Sequence, residues 1–173
     1  MPRPNDETTI WSRQFFTFIA VGLAVALAGL GFLLLTTRGA HLRLEGQIQK
    51  VRTQATDENN SILVVDFRAK NPSEVSFVVR SVEVLFTDSG GQEVQTVDVA
   101  DVDADRVFGY YQFLGGRFNR TLKIKDQIRP GEVFDRMVMV SLAAPEDRVK
   151  NRTGLRLRIT DVDGIAAELV ETR

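Results

Sequence analysis

The chain has 173 residues and is nearly neutral, with 22 Lys and Arg against 23 Asp and Glu, one His and no Cys. Absence of Cys excludes disulfides, thiolate metal sites, a Cys nucleophile and a lipid-modified Cys. Balanced charge removes the general attraction for nucleic acid that a basic domain has, so no nucleic-acid partner is expected.

Residues 1–13 (MPRPNDETTIWSR) are polar with two prolines and are expected to form a disordered leader, with Trp11 suited to a membrane interface. Residues 14–37 then carry no charge at all, and Arg13 and Arg38 bracket them. As a helix this run spans about 36 Å at about 1.5 Å per residue, enough to cross a hydrocarbon core of about 30 Å. It is longer than the apolar region of a cleaved signal, so it is expected to stay as an anchor. Two strips of small residues run along it. Ala20, Ala24, Ala28 and Gly31 fall on one side, and Gly22, Ala26 and Gly29 fall opposite, each a candidate surface for a second helix.

After the anchor, polarity and period-2 alternation take over. Strands are expected at 41–56, 62–69, 77–86, 94–99, 120–128, 132–142, 155–162 and 165–170, separated by turn clusters at 57–60, 71–73, 89–92, 129–131 and 161–164. The expected organisation is a leader at 1–13, a transmembrane helix at 14–37 and a β-sandwich at 38–173. The fold class is all-β, an immunoglobulin/fibronectin-III-like sandwich preceded by one N-terminal transmembrane α-helix.

The segment FRAKNPSEVSFVVRSVEVLFTDSGGQEV resembles the core signature of late-embryogenesis-abundant type 2 proteins and the related water-stress and hypersensitive-response (WHy) domain. The shared elements are a strand ending in Asn71-Pro72, a strand of hydrophobic alternation and a Gly-containing hairpin. The resemblance implies a fibronectin-III-type sandwich with no catalytic site, membrane-anchored in some bacterial members.

Candidate sites are few. His41 has no Cys or acidic neighbour and reads as a linker residue. Asp101, Asp103 and Asp105 match the first three ligand positions of a calcium loop. The sixth position is Arg106 and the twelfth Gln112, so the sharp turn and the bidentate ligand are missing. A looser calcium site that adds Asp98 is the alternative. Residues 105–116 have helical spacing through Val107, Phe108, Tyr111 and Leu114. Phe108, Tyr110, Tyr111, Phe113 and Phe118 crowd together there. They either plug one open end of the sandwich or, through Tyr110, Tyr111 and Phe113, present an aromatic contact to a partner or membrane. Arg outnumbers Lys by seventeen to five, which suits planar pairing with acids on strands.

No catalytic constellation, cofactor or small-molecule substrate is expected, and the chain is not expected to be an enzyme. The expected function is a non-catalytic, membrane-anchored envelope protein. Its sandwich binds or supports partner proteins through the anchor or the domain, as an accessory subunit of a membrane complex. Alternatives are a stress-protective protein of the late-embryogenesis-abundant type 2 kind and a calcium-dependent binder using the loop from Asp98 to Asp105. The expected location is the inner (cytoplasmic) membrane, single-pass, with the domain periplasmic.

Overall fold

A computed structural model describes residues 13–37, 43–94, 96–98 and 101–172. The leader, Trp11 and His41 lie outside the described residues. The chain divides into two units, Met1–His41 and Leu42–Arg173. In the first, helix α1 runs over Arg13–Thr37. Ala and Leu dominate it and no proline interrupts it, so a helix is the form that satisfies its backbone internally. Its segment Phe15–Phe32 is long and apolar enough to cross a membrane, and none of that segment is buried.

The second unit is a sandwich of two antiparallel-dominated sheets. In chain order it contains β1 (Glu45–Ala55), β2 (Ser61–Lys70), β3 (Phe77–Thr87), β4 (Glu93–Val94), β5 (Thr96–Asp98) and helix α2 (Asp101–Tyr110). A 3-10 turn at Gln112–Leu114 follows, then β6 (Arg120–Thr121), β7 (Gln127–Ile128), β8 (Val133–Leu142), helix α3 (Glu146–Lys150), β9 (Gly154–Asp161) and β10 (Ala166–Val170). One sheet has the order β1-β2-β8-β5, with β6 also on β8, and the other β10-β9-β3-β4, with β7 also on β3. An all-β sandwich preceded by an N-terminal helix is therefore the fold.

Alternation decides the core. Leu63, Val65, Phe67 and Ala69 of β2 and Phe134, Val138, Val140 and Leu142 of β8 face the second sheet, against Phe77, Val79, Val84, Phe86, Leu155, Leu157 and Ile159. Burying each of these larger side chains contributes about 1.5–3 kcal/mol. In β1 the pairing slips between Ile48 and Lys50, so that Ile48 opposes Phe67 and Val51 opposes Val65. This bulge moves Val51 onto the core face and turns Arg52 to the outer one. Where β1 crosses β2, a Cβ on Gly46 would collide with the backbone of Arg68, so only glycine fits there.

Two expected elements differ. The strand expected at 120–128 is two short pairings in different sheets: β6 runs parallel to β8, and β7 antiparallel to β3. Residues 122–126 carry the chain from one sheet to the other. Lys125 has φ 71° at that corner, and the Asp126 carboxylate accepts the Lys123 N–H at 3.0 Å. The helix expected from 105 begins instead at Asp101 and ends at Tyr110. Tyr111 alone divides it from the 3-10 turn.

Candidate partner-binding surface

The outer face of the β1-β2-β8-β5 sheet is also buried. Ile62, Val64, Met137 and Met139 point outward from β2 and β8 and form a second core with Ala104 and Leu114. Val107, Phe108 and Tyr111 pack against that core. Positions 104, 107, 108 and 111 form one helical stripe, which is why the segment folds as a helix across the sheet. Phe108 and Tyr111 thus cover a sheet face. They do not plug an open end of the sandwich, because outward-facing Met and Val side chains needed a cover.

A buried charge pair sits beneath this cover. Arg52 and Asp66 lie diagonally on β1 and β2, Arg52 opposing Val64 and Asp66 opposing Lys50, and are joined from Arg52 Nη2 to Asp66 Oδ2 at 2.7 Å. Arg52 Nη1 donates to the carbonyl oxygens of Leu114 at 2.7 Å and Gly116 at 2.8 Å. Both carbonyls reach one guanidinium nitrogen because Gly115 between them adopts φ 75°, a left-handed conformation that favours glycine. Asp66 Oδ1 accepts Asn119 Nδ2 at 2.9 Å, which ties down the far end of the segment. The flat guanidinium lies near two rings, 5.1 Å from the Phe108 centroid and 5.3 Å from that of Phe118. Lys50 Nζ lies 5.9 Å from the Phe118 ring. Among the described residues every buried side-chain nitrogen or oxygen has a hydrogen-bond partner.

What this framework leaves in solvent is aromatic. Tyr110 is 79% exposed, Phe113 95% and Phe118 70%. Tyr111 is only half-buried and meets Tyr110 edge-on at 4.8 Å between centroids. Of the candidate contacts read from the sequence, Tyr110 and Phe113 are thus displayed, while Tyr111 belongs mainly to the cover. Phe118 joins the displayed set. Rings displayed on a backbone that a buried ion pair holds in place are suited to contact, since little conformational freedom remains to be lost on binding.

The acidic residues read as a calcium loop lie elsewhere than expected. Asp101, Asp103 and Asp105 fall in α2, not in a loop. Asp103 pairs with Arg106, and Asp105 pairs with Arg117. Asp98 lies at the end of β5. Among the described residues no group of three or more His, Cys, Asp or Glu is placed to hold a metal ion. In the anchor, a Cβ added to Gly22, Gly29 or Gly31 would meet nothing within 4 Å among the described residues.

Electrostatics elsewhere serve the fold. The Arg148 side chain, then the Gln92 N–H, hold the Asp88 carboxyl below its ordinary value. Hydrogen bonding to Arg68 does the same for Asp135. Arg158 is raised by its hydrogen bond to Glu168 across β9 and β10, part of an exposed Arg/Glu ladder that includes Arg156 with Glu93.

No protein-family model and no curated protein matches the chain. Similar solved structures include the archaellum periplasmic stator protein FlaG from Sulfolobus acidocaldarius, 15% identical, covering 73% of this chain and 98% of that one with a TM-score of 0.29. The complex of the stator proteins FlaF and FlaG from the same organism gives 16% identity, 72% and 86% coverage and a TM-score of 0.29. A conserved hypothetical protein from Bacillus anthracis gives 12% identity, 75% and 99% coverage and a TM-score of 0.35. The likeness to the late-embryogenesis-abundant type 2 and WHy family is corrected, since no family model matches the chain. Its one specific motif has a local cause. Asn71 Nδ2 donates to the carbonyls of Val75 and Ile128, and its Oδ1 accepts the Ser73 N–H. Any sandwich that turns its chain at this corner has use for Asn followed by Pro.

Proposed function

We propose that the protein is a single-pass, membrane-anchored, non-catalytic binding protein of the cell envelope, with its sandwich outside the cytoplasm. On this reading the domain engages a protein partner through Tyr110, Phe113 and Phe118, as an accessory subunit of a membrane complex, and α1 holds it at the bilayer. The carrying observation is the display of three exposed rings by a segment whose backbone is clamped on Arg52 and Asp66. Exposed aromatics that join no core are the residues that dominate binding energy in protein interfaces.

The test compares wild type with a Tyr110→Ser, Phe113→Ser variant, crosslinked in native membranes and purified in mild detergent. Both positions point to solvent, so the variant should unfold at the wild-type temperature and lose the crosslinked partner bands. Bands that survive unchanged would reject this surface. A reporter fused after Arg173 that works only outside the cytoplasm tests the orientation, and activity of a cytoplasm-only reporter would reverse it.

A further inference from the structure

A basic cleft of about 380 Å³ opens beside the crossover between the two sheets, lined by Arg117, Arg120, Thr121, Lys123, Asp126 and Arg136. Four cations surround a single carboxylate in a chain whose net charge is -1. The carboxylate of Asp126 accepts the Lys123 backbone N–H, and Arg117 is committed to Asp105 and to Thr121 Oγ1 at 3.0 Å. The remaining pair of arginines is the informative one. Parallel pairing of β6 with β8 sets Arg120 directly opposite Arg136, so both side chains leave the same face of the sheet. Like charges in register destabilise a sheet unless something negative lies between them. Among the described residues neither Arg120 nor Arg136 forms an ion pair. Arg136 is nevertheless held in place, with its guanidinium carbon 5.7 Å from the Phe134 ring centroid and Nη1 donating to the Asp135 carbonyl at 3.0 Å.

We propose that this cleft binds a phosphate-class oxyanion, with Arg120 and Arg136 closing on it from paired strands. Guanidinium groups suit this task because their planar forks match the oxygens of phosphate, and charge-assisted bonds of this kind are about twice as strong as neutral ones. Thr121 and Lys123 line the same cleft. The bound group is a phosphate monoester or diester, carried either by a soluble molecule or by a lipid headgroup.

The experiment follows thermal unfolding of the full chain in detergent on titration with inorganic phosphate, chloride being adjusted to constant ionic strength. Wild type should gain about 4 °C at saturation. The variant Arg120→Gln, Arg136→Gln should melt no lower than wild type without phosphate, because a repulsion has been removed, and should gain nothing from it. Arg120→Lys should keep part of the gain. Repeating the measurement in nanodiscs of phosphatidylcholine, with and without phosphatidic acid, separates the sources. A shift with phosphatidic acid that the double variant lacks identifies a headgroup, and a shift with phosphate alone identifies a soluble ester. Equal shifts in wild type and double variant would reveal a general salt effect and overturn the proposal. So would a wild type that responds to neither probe, or a double variant markedly less stable than wild type without phosphate.

Discussion

Arg52 reaches Asp66 Oδ2 through two nitrogens, Nη2 at 2.7 Å and Nε at 3.1 Å, and both residues are buried. The same guanidinium holds two carbonyls of the segment that covers them. A single residue of β1 therefore joins strand, neighbouring strand and cover.

Removing it should be expensive. Arg52→Ala leaves the Asp66 carboxylate buried with only Asn119 as a hydrogen-bond donor, and frees two carbonyls. The expected loss is about 3–5 kcal/mol in urea unfolding of the full chain, the range for a broken buried pair. Arg52→Lys should recover little, because an ammonium cannot fork to a carboxylate, bond two carbonyls and lie flat between rings. Hydrogen exchange should show α2 amides opening faster in either variant. A loss under about 1 kcal/mol would mean that the apolar cover alone holds the segment.

Asn71 offers a second test. Its side chain is fully buried and bonds the Val75 and Ile128 carbonyls at 2.8 and 3.1 Å and the Ser73 N–H at 3.0 Å. Asn71→Leu is nearly isosteric but removes these three bonds from the interior, the Val75 carbonyl keeping only the Ser73 hydroxyl. A loss of about 2–4 kcal/mol is expected. An unchanged urea midpoint would show that water replaces those bonds.

Periodicity determines how much of this fold is legible in the sequence. Leu63, Val65, Phe67 and Ala69 alternate, so β2 and its inner face can be read from the residues alone. The outer face is legible too, in the unbroken apolar runs ILVV and MVMV, which mark strands covered on both sides. That signal predicts a covering element, and the stripe at 104, 107, 108 and 111 is that element. Arg52 is not legible. Its place beneath the cover depends on a bulge at the Ile48/Lys50 slip, and bulges leave no periodic trace. Nor can alternation show that 120–128 divides between sheets, since two-residue pairings are too short to carry a period. The facing of Arg120 and Arg136 arises only from that division.

Asp88 should govern part of the acid response. Its carboxylate receives Arg148 Nε at 2.9 Å and the N–H groups of Gly90 and Gln92 at 2.9 and 2.8 Å. These bonds hold its folded-state value below the ordinary 3.8. A carboxyl depressed on folding stabilises the fold above its unfolded value and loses that contribution as pH falls through the folded one. Asp88→Asn keeps an oxygen for the turn amides but cannot pair with Arg148. The variant should be less stable at neutral pH, and the two denaturation midpoints should converge as pH drops below 3.8. A constant gap across that range would assign the effect to packing instead of charge.

The last prediction concerns the anchor, where we propose that small residues pack against a second helix. Ala20, Ala24, Ala28 and Gly31 fall within about 80° of one another, and Gly22, Ala26 and Gly29 lie opposite. Lipid is as apolar as Leu, so helix association in a bilayer depends on close backbone approach, which small residues permit. Among the described residues nothing outside the helix lies within 4 Å of a Cβ added at Gly22, Gly29 or Gly31. Changing Ala24 and Ala28 together to Leu keeps the span hydrophobic and fills the first strip, and Gly22→Leu with Ala26→Leu fills the second. If one strip is a contact, its double variant alone should lose self-association in a membrane dimerisation assay, or lose the partner that co-purifies with wild type. The other variant then serves as the control for insertion and expression. Retention of every association by both variants would mean that α1 faces lipid all round, leaving the domain to make the contacts.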